Sequence, residues 1–249
     1  MQDKSSAGPK PFFSPGPDYS VKGFQLYFGE HILEMVEAID TPRNGWCLEV
    51  GVGDARFKQP LQRRGLSFVG LDIYSDRTID IKGDAHGLPF RAEAVDLAIM
   101  NQVMEHLSQP WDALKELNRV LKHGGYFVGS VAFLEPFHNS YFHFSHWGIE
   151  QILRDTGFEP LEVHPGINMI PLLAWTMTEP GPSHLAARLA GTLAGFMMKV
   201  RYLGGAIFIR SRFGRSSPYY KTFRETRKRD PFKYAGHIYF AARKVGPGR

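Results

Sequence analysis

Residues Leu48-Glu49-Val50-Gly51-Val52-Gly53-Asp54-Ala55 close a short apolar run with the residue types of a ligand-binding corner. A strand that runs into Gly-x-Gly and then a helix makes a sharp turn without Cβ atoms at its tightest points. Backbone can then approach a ligand closely, and the helix start offers unpaired N–H groups. In an open parallel sheet such a corner faces the crevice beyond the strand's C-terminal end. The glycines alone are weakly specific, because the same corner serves dinucleotide enzymes. Glu49 sharpens the reading, since a carboxylate ending an apolar strand is costly unless it meets a cation or several donors. Asp72 ends the second apolar run, 19 residues after Gly53. An acid there can accept both hydroxyls of a ribose and would repel a ribose phosphate. Together they ask for an unphosphorylated adenosine with a positively charged tail. The duller alternatives are a salt bridge for Glu49 and a helix cap for Asp72.

A second concentration of chemistry lies in Glu135–Trp147, which holds His138, His143 and His146 among Tyr141, Phe142 and Phe144. Histidine suits proton transfer because its ordinary pKa lies near working pH. His143 is the first candidate base, with His138 and His106 behind it. Phe133 and Tyr141, with Tyr19, Phe24 and Tyr27 from the leading segment, are candidate acceptor contacts. Against this, Ser145 would cap the next helix, His146 would fall in its first turn, and the aromatics would serve as core. There is no His-x-x-x-His or Cys-x-x-Cys pattern and no clustered Asp/Asn set at the fourth and fifth strand ends beyond Asp96 and Asn101, so no metal site is expected. The single cysteine, Cys47, excludes an internal disulfide and reads as a small buried hydrophobe.

These residues need a scaffold, and the apolar pattern supplies one. An amphipathic leading helix is expected over Gly23–Ile39. Strands are expected at Trp46–Val50, Ser67–Leu71, Thr78–Ile81, Val95–Met100, Tyr126–Phe133, Phe158–His164 and Gly236–Arg243. Helices are expected at Arg56–Arg64, at Trp111–Leu121 with His123-Gly124-Gly125 as its stop, and at Ser145–Thr156. The alternation predicts an α/β fold: a Rossmann-like, seven-stranded, mostly parallel sheet with helices on both faces, an N-terminal helical lid and an insertion before the last strand. Residues 1–20 read as a flexible arm, 21–164 and 234–245 as the core, and 165–233 as a helical insertion with a helical run at His184–Tyr202. The leading helix and the insertion could serve as a lid, as a homodimer contact or as plain packing.

The composition, 43% hydrophobic and 22% charged over 249 residues, is that of an ordinary globular protein. The N-terminus shows no secretory core. The apolar runs Gly166–Thr178 and Leu189–Met198 fall short of the roughly 20 residues a bilayer requires, so a soluble, cytoplasmic protein without a transmembrane segment is expected. Charge is uneven: residues 199–249 hold 14 Lys and Arg against Glu225 and Asp230, a net +12, leaving −7 for the rest of the chain. Such a segment suits a nucleic acid, an acidic membrane or an anionic substrate, or is simply a solvated face.

With these motifs on the page, the chain resembles a class I S-adenosylmethionine-dependent methyltransferase of the broad small-molecule group. Glu49, Gly51 and Gly53 match the family's first motif, with Ala55 where a third glycine is frequent. Asp72, followed by Ile73, matches the ribose-binding acid. Gly83–Phe90 resembles the stretch whose Asp and following backbone contact adenine, which gives that role to Asp84 and Ala85. Asp96–Leu107 resembles the fourth-strand motif, with Asn101 and Gln102 lining the methionine end. Leu121–Gly125 resembles the turn before the fifth strand, with His123 where Pro is frequent. The resemblance implies S-adenosylmethionine as cofactor and methyl transfer to a small-molecule acceptor, with a hydroxyl oxygen as first choice. The aromatic loop would then face the methyl group. The alternatives are an RNA or membrane-associated substrate held by Arg210–Lys233, and a member of the fold that does not methylate. A nucleic acid is the weaker partner, for want of a base-reading motif.

Overall fold

A computed structural model describes residues 29–42, 44–74, 79–135, 139–178 and 183–245. The arm, Tyr19, Phe24, Tyr27, the start of the leading helix, Thr78 and His138 lie outside the described residues.

Seven strands form one sheet in the order β3-β2-β1-β4-β5-β7-β6. They are β1 (Trp46–Val50), β2 (Ser67–Asp72), β3 (Ile81–Lys82), β4 (Val95–Asn101), β5 (Leu121–Ala132), β6 (Phe158–Pro165) and β7 (His237–Lys244). The pairs β1–β2, β2–β3, β1–β4 and β4–β5 are parallel, and β7 runs antiparallel to both β5 and β6. The strand order reverses between β1 and β4, which opens the ligand crevice of a doubly wound sheet at their C-terminal ends.

Alternation along the central strand puts Ala98 and Met100 in one core and Leu97 and Ile99 in the other. The first core takes the inward faces of α3 (Pro110–Val120) and α4 (His146–Asp155), through Leu114, Leu117, Ile149 and Leu153. The second takes α1 (Gly29–Ala38) and α2 (Lys58–Arg63), through Ile32, Met35, Val36 and Leu61. Both faces are covered, so β4 is buried along nearly its whole length.

Three segments depart from the sequence expectation. β3 begins only at Ile81, because its pairing is confined to Leu71 and Asp72. His123-Gly124-Gly125 is not a helix stop. α3 ends at Val120 and β5 starts at once, pairing Leu121 with Val95 before the register jumps to Tyr126 with Leu97. The glycines lie in that bulge, where a Cβ at Gly125 would sit 2.9 Å from the Lys122 carbonyl. Third, the run expected at His184–Tyr202 is one 31-residue helix, α6 (Ser183–Phe213), preceded by α5 (Met169–Thr178) and followed by α7 (Pro218–Arg229). The expectation that its apolar part is too short for a bilayer fails, because Lys199 and Arg201 do not interrupt the helix.

Candidate active site

The chain leaves β1 through Gly51 at φ +76° and Gly53 at φ +52°. The N–H groups of Gly51 and Val52 both donate to the Leu71 carbonyl, at 2.8 and 3.3 Å, which pins the corner to the end of β2. A Cβ at Gly51 would run into the Val103 side chain, whereas one at Gly53 would meet nothing within 4 Å. Ala55 takes φ +54° where a third glycine is common, a conformation that costs an alanine about 1 kcal/mol.

Glu49 lies on β1 immediately before this corner and is 2% exposed. Its Oε2 is buried with no hydrogen-bond partner among the described residues. Burial first, then the Asp54 and Asp72 carboxylates, push its carboxyl up to about 9 against the pull of Arg56. Without a cation the group is therefore protonated at neutral pH, and a ligand ammonium would let it ionise.

Asp72 ends β2 half-buried and stands across the crevice from the glycine corner. Its Oδ2 accepts from the Gly53 N–H at 3.4 Å and its Oδ1 from the Tyr74 N–H at 3.1 Å. Replacing Asp72 by Ala should weaken cofactor binding by about 1–3 kcal/mol through two lost hydroxyl bonds. Calorimetry with S-adenosylhomocysteine reads this, and unchanged affinity would remove Asp72 from the site. Ile73 beside it is 56% exposed. Asp84 is exposed, and its Oδ1 accepts from the His86 backbone N–H at 2.9 Å and lies 2.7 Å from His86 Nδ1. Those bonds hold its carboxyl below the ordinary range, so Asp84 also shapes its own turn. Ala85 is buried in the core.

Asn101 ends β4 beside the corner, and Gln102 follows it at φ +57°. Ser130 of β5 joins them. Its fully buried hydroxyl donates to Asn101 Oδ1 at 2.7 Å and accepts from Gln102 Nε2 at 2.9 Å. Gln102 Oε1 is buried with no partner among the described residues. Sequence reasoning missed Ser130, whose only signal is a hydroxyl in an otherwise apolar strand. It also missed Glu105, a fully buried carboxylate whose Oε1 accepts from the Ala132 N–H at 3.0 Å. His237 is a third omission: it is fully buried at the start of β7, with Nδ1 3.2 Å from Glu135 Oε2.

The aromatic loop is only partly a pocket wall. Phe144 is buried in the core, and Phe142 bridges it to Trp111 with ring centroids 5.8 and 6.1 Å apart. Phe133 packs on the same core, while Tyr141 is 73% exposed. Ser145 caps α4, accepting from the Gly148 N–H at 3.2 Å. His146 opens that helix and stacks on Phe232 at 4.5 Å. His143 is exposed with Nδ1 2.7 Å from the Phe133 carbonyl, and His106 is exposed in the turn after β4. Asp96 lies at the opposite end of β4 from Asn101, where it accepts from the Trp46 N–H and Lys122. It therefore shares no site with Asn101, and the described residues hold no metal-ligating group of three.

A crevice at the β1/β4 switch point, with a glycine corner between two carboxylates, is the arrangement expected of a class I S-adenosylmethionine-dependent methyltransferase. Residues 48–129 match the methyltransferase domain family. An uncharacterized methyltransferase of Mycolicibacterium gilvum is 30% identical over 120 residues, 43% of this chain and 47% of that protein. The chain thus spans about half the length of that relative. A methyltransferase-like chain bound to the Haloferax volcanii Trm112 methyltransferase activator has the same fold. Its TM-score is 0.56 at 16% identity, over 90% of this chain and 92% of that one. A Haemonchus contortus phosphoethanolamine N-methyltransferase in complex with S-adenosylhomocysteine also shares it. There the TM-score is 0.51 at 17% identity, over 90% of this chain and 56% of the other. The chain carries a class I methyltransferase domain, and S-adenosylmethionine is the cofactor of that domain. The site fits it: two buried acceptor oxygens without partners among the described residues, Glu49 Oε2 and Gln102 Oε1, and open space over Gly53 suit a nucleoside with a cationic tail.

Proposed function

We propose that the protein transfers the methyl group of S-adenosylmethionine to a small-molecule hydroxyl, with His143 taking the hydroxyl proton. The supporting observation is the 2.7 Å contact from His143 Nδ1 to the Phe133 carbonyl. A carbonyl oxygen only accepts, so Nδ1 carries the proton and the lone pair of the neutral ring lies on Nε2. The loop that carries His143 is stitched to the crevice edge. Phe144 N–H donates to Ala132 at 2.9 Å, and the Tyr141 and Phe142 N–H groups donate to the Glu105 carbonyl at 2.8 and 3.1 Å.

Bound S-adenosylmethionine supplies a methyl group already activated on a sulfonium. The chain's own work is placement. Glu49 would hold the ammonium end, Asp72 the ribose diol, and the Asn101–Ser130–Gln102 network the walls around the amino-acid tail. Positioning of this kind, with removal of one proton, is what an in-line displacement asks of a protein. His143→Ala is expected to lower turnover by roughly 100-fold or more with S-adenosylhomocysteine affinity unchanged. The measurement is S-adenosylhomocysteine release with a panel of hydroxyl acceptors, and a near-wild-type rate would remove His143 from the reaction.

A further inference from the structure

One face of α6 is built into the protein and the other is bare. Ala187, Ala194 and Tyr202 are buried where the helix packs along α5 and against α7. On the outer side Leu189, Leu193, Phe196, Val200, Leu203 and Ile207 are each 53–64% exposed. Their spacing alternates between four and three residues, so they form one continuous apolar seam about 27 Å long. By helical period Lys199 and Arg210 border the seam on one side, while Arg212, about 140° round from it, lies in the last turn of the helix just before Arg215. From Pro180 to Arg224 the chain contains no Asp or Glu and eight Lys or Arg.

We propose that α6 and the basic turn that follows it dock the protein in the plane of an anionic phospholipid bilayer. The seam would enter the acyl boundary while Lys199, Arg210, Arg212 and Arg215, all exposed, meet the headgroups. By length and composition alone α6 could instead cross a bilayer. That arrangement would put Lys199 and Arg201 mid-span. It would also break the inner face, where Trp175 meets the His184 ring at 4.1 Å and buried Asp230 holds the Tyr202 hydroxyl at 3.0 Å, Arg201 at 3.4 Å and Lys233 at 2.7 Å. A second copy of the chain fits the heptad-like spacing, but it would set one acid-free basic helix against another, with no acidic flank to pair. Negative lipid answers both the apolar seam and the charge.

The helix is rooted near the crevice. α5 and α6 leave the sheet just past its edge strand β6, where Asn168 bridges Ala235 at the same end of the sheet as Gly51 and Asn101. Docking would therefore carry the crevice to the membrane, and it rests on the α6 surface rather than on the choice of acceptor.

The test is co-sedimentation of the full chain with phosphatidylcholine vesicles with and without phosphatidylserine. Binding is expected only with phosphatidylserine and should weaken as salt rises. Leu193→Glu with Phe196→Glu, and separately Arg210→Glu with Arg212→Glu, should each weaken it by roughly tenfold or more. S-Adenosylhomocysteine affinity should stay at wild-type values in both, showing that the domain is intact. The proposal is overturned if protein that still takes up S-adenosylhomocysteine ignores vesicles or binds neutral ones equally well. A vesicle-independent dimer that Leu193→Glu with Phe196→Glu dissociates, or salt-sensitive binding to RNA but not to vesicles, overturns it as well.

Discussion

Glu49→Gln is expected to weaken S-adenosylhomocysteine binding by roughly 10- to 100-fold, the loss of a charge-assisted hydrogen bond, while making the ligand-free protein more stable. Both effects have one cause. The Glu49 carboxyl is buried and pushed up to about 9, against about 4.3 in an unfolded chain. The folded, ligand-free protein thus binds more protons than the unfolded chain between those values. Stability from this group is complete below the lower value and is lost as pH rises towards the upper one. At neutral pH the loss is roughly 3–4 kcal/mol, and glutamine, which cannot ionise, avoids it. Scanning calorimetry should show a higher Tm for the variant, with the gap widening as pH rises. A bound ammonium reverses the balance, since it favours the carboxylate. Wild-type affinity should then rise between roughly pH 6 and 8 with release of close to one proton, seen by titration calorimetry in buffers of different ionisation enthalpy. If the variant binds as tightly as wild type, Glu49 does not hold the cationic end.

Gly51→Ala is expected to abolish detectable cofactor uptake and to destabilise the protein by about 2–4 kcal/mol, from left-handed strain together with overpacking. The added Cβ would collide with Val103, and relief would displace the two N–H groups that hold the Leu71 carbonyl. Gly53→Ala separates the two causes. Gly53 is also at positive φ, but its Cβ direction is open. This variant should lose about 1 kcal/mol of stability and fail in binding because the methyl occupies ligand space. Chemical denaturation and calorimetry on both proteins distinguish them. A stable Gly51→Ala protein with normal affinity would mean that the corner is not the cofactor's.

How much of the site is legible in the sequence follows from the range of the forces involved. The corner from Glu49 to Gly53 is local: a glycine needed for φ and a carboxylate out of place in an apolar strand are both visible within five residues. Asp72 is legible because a parallel strand pair fixes how far along the chain the next strand ends. Ser130, Glu105 and His237 were not legible, since each acquires its role from a partner across the sheet or crevice. Ser130 meets Asn101 and Gln102 from a neighbouring strand, and Glu105 reaches the last residue of β5. The aromatic loop shows the opposite error: Phe142 and Phe144 have the composition of a pocket wall but are spent on packing against Trp111 and the core.

The sequence alone determined the alternation of strands and helices, the glycine corner and its two acids, and the charge imbalance toward the C-terminus. Periodicity, backbone freedom and net charge are properties of neighbouring residues or simple sums. Tertiary structure alone decided the antiparallel placement of β7 and the bulge that absorbs Gly124 and Gly125. It also decided which face of α6 is built in. Exposure of Leu193 or Phe196 depends on where α5 and α7 come to rest, and no count along a single helix contains that.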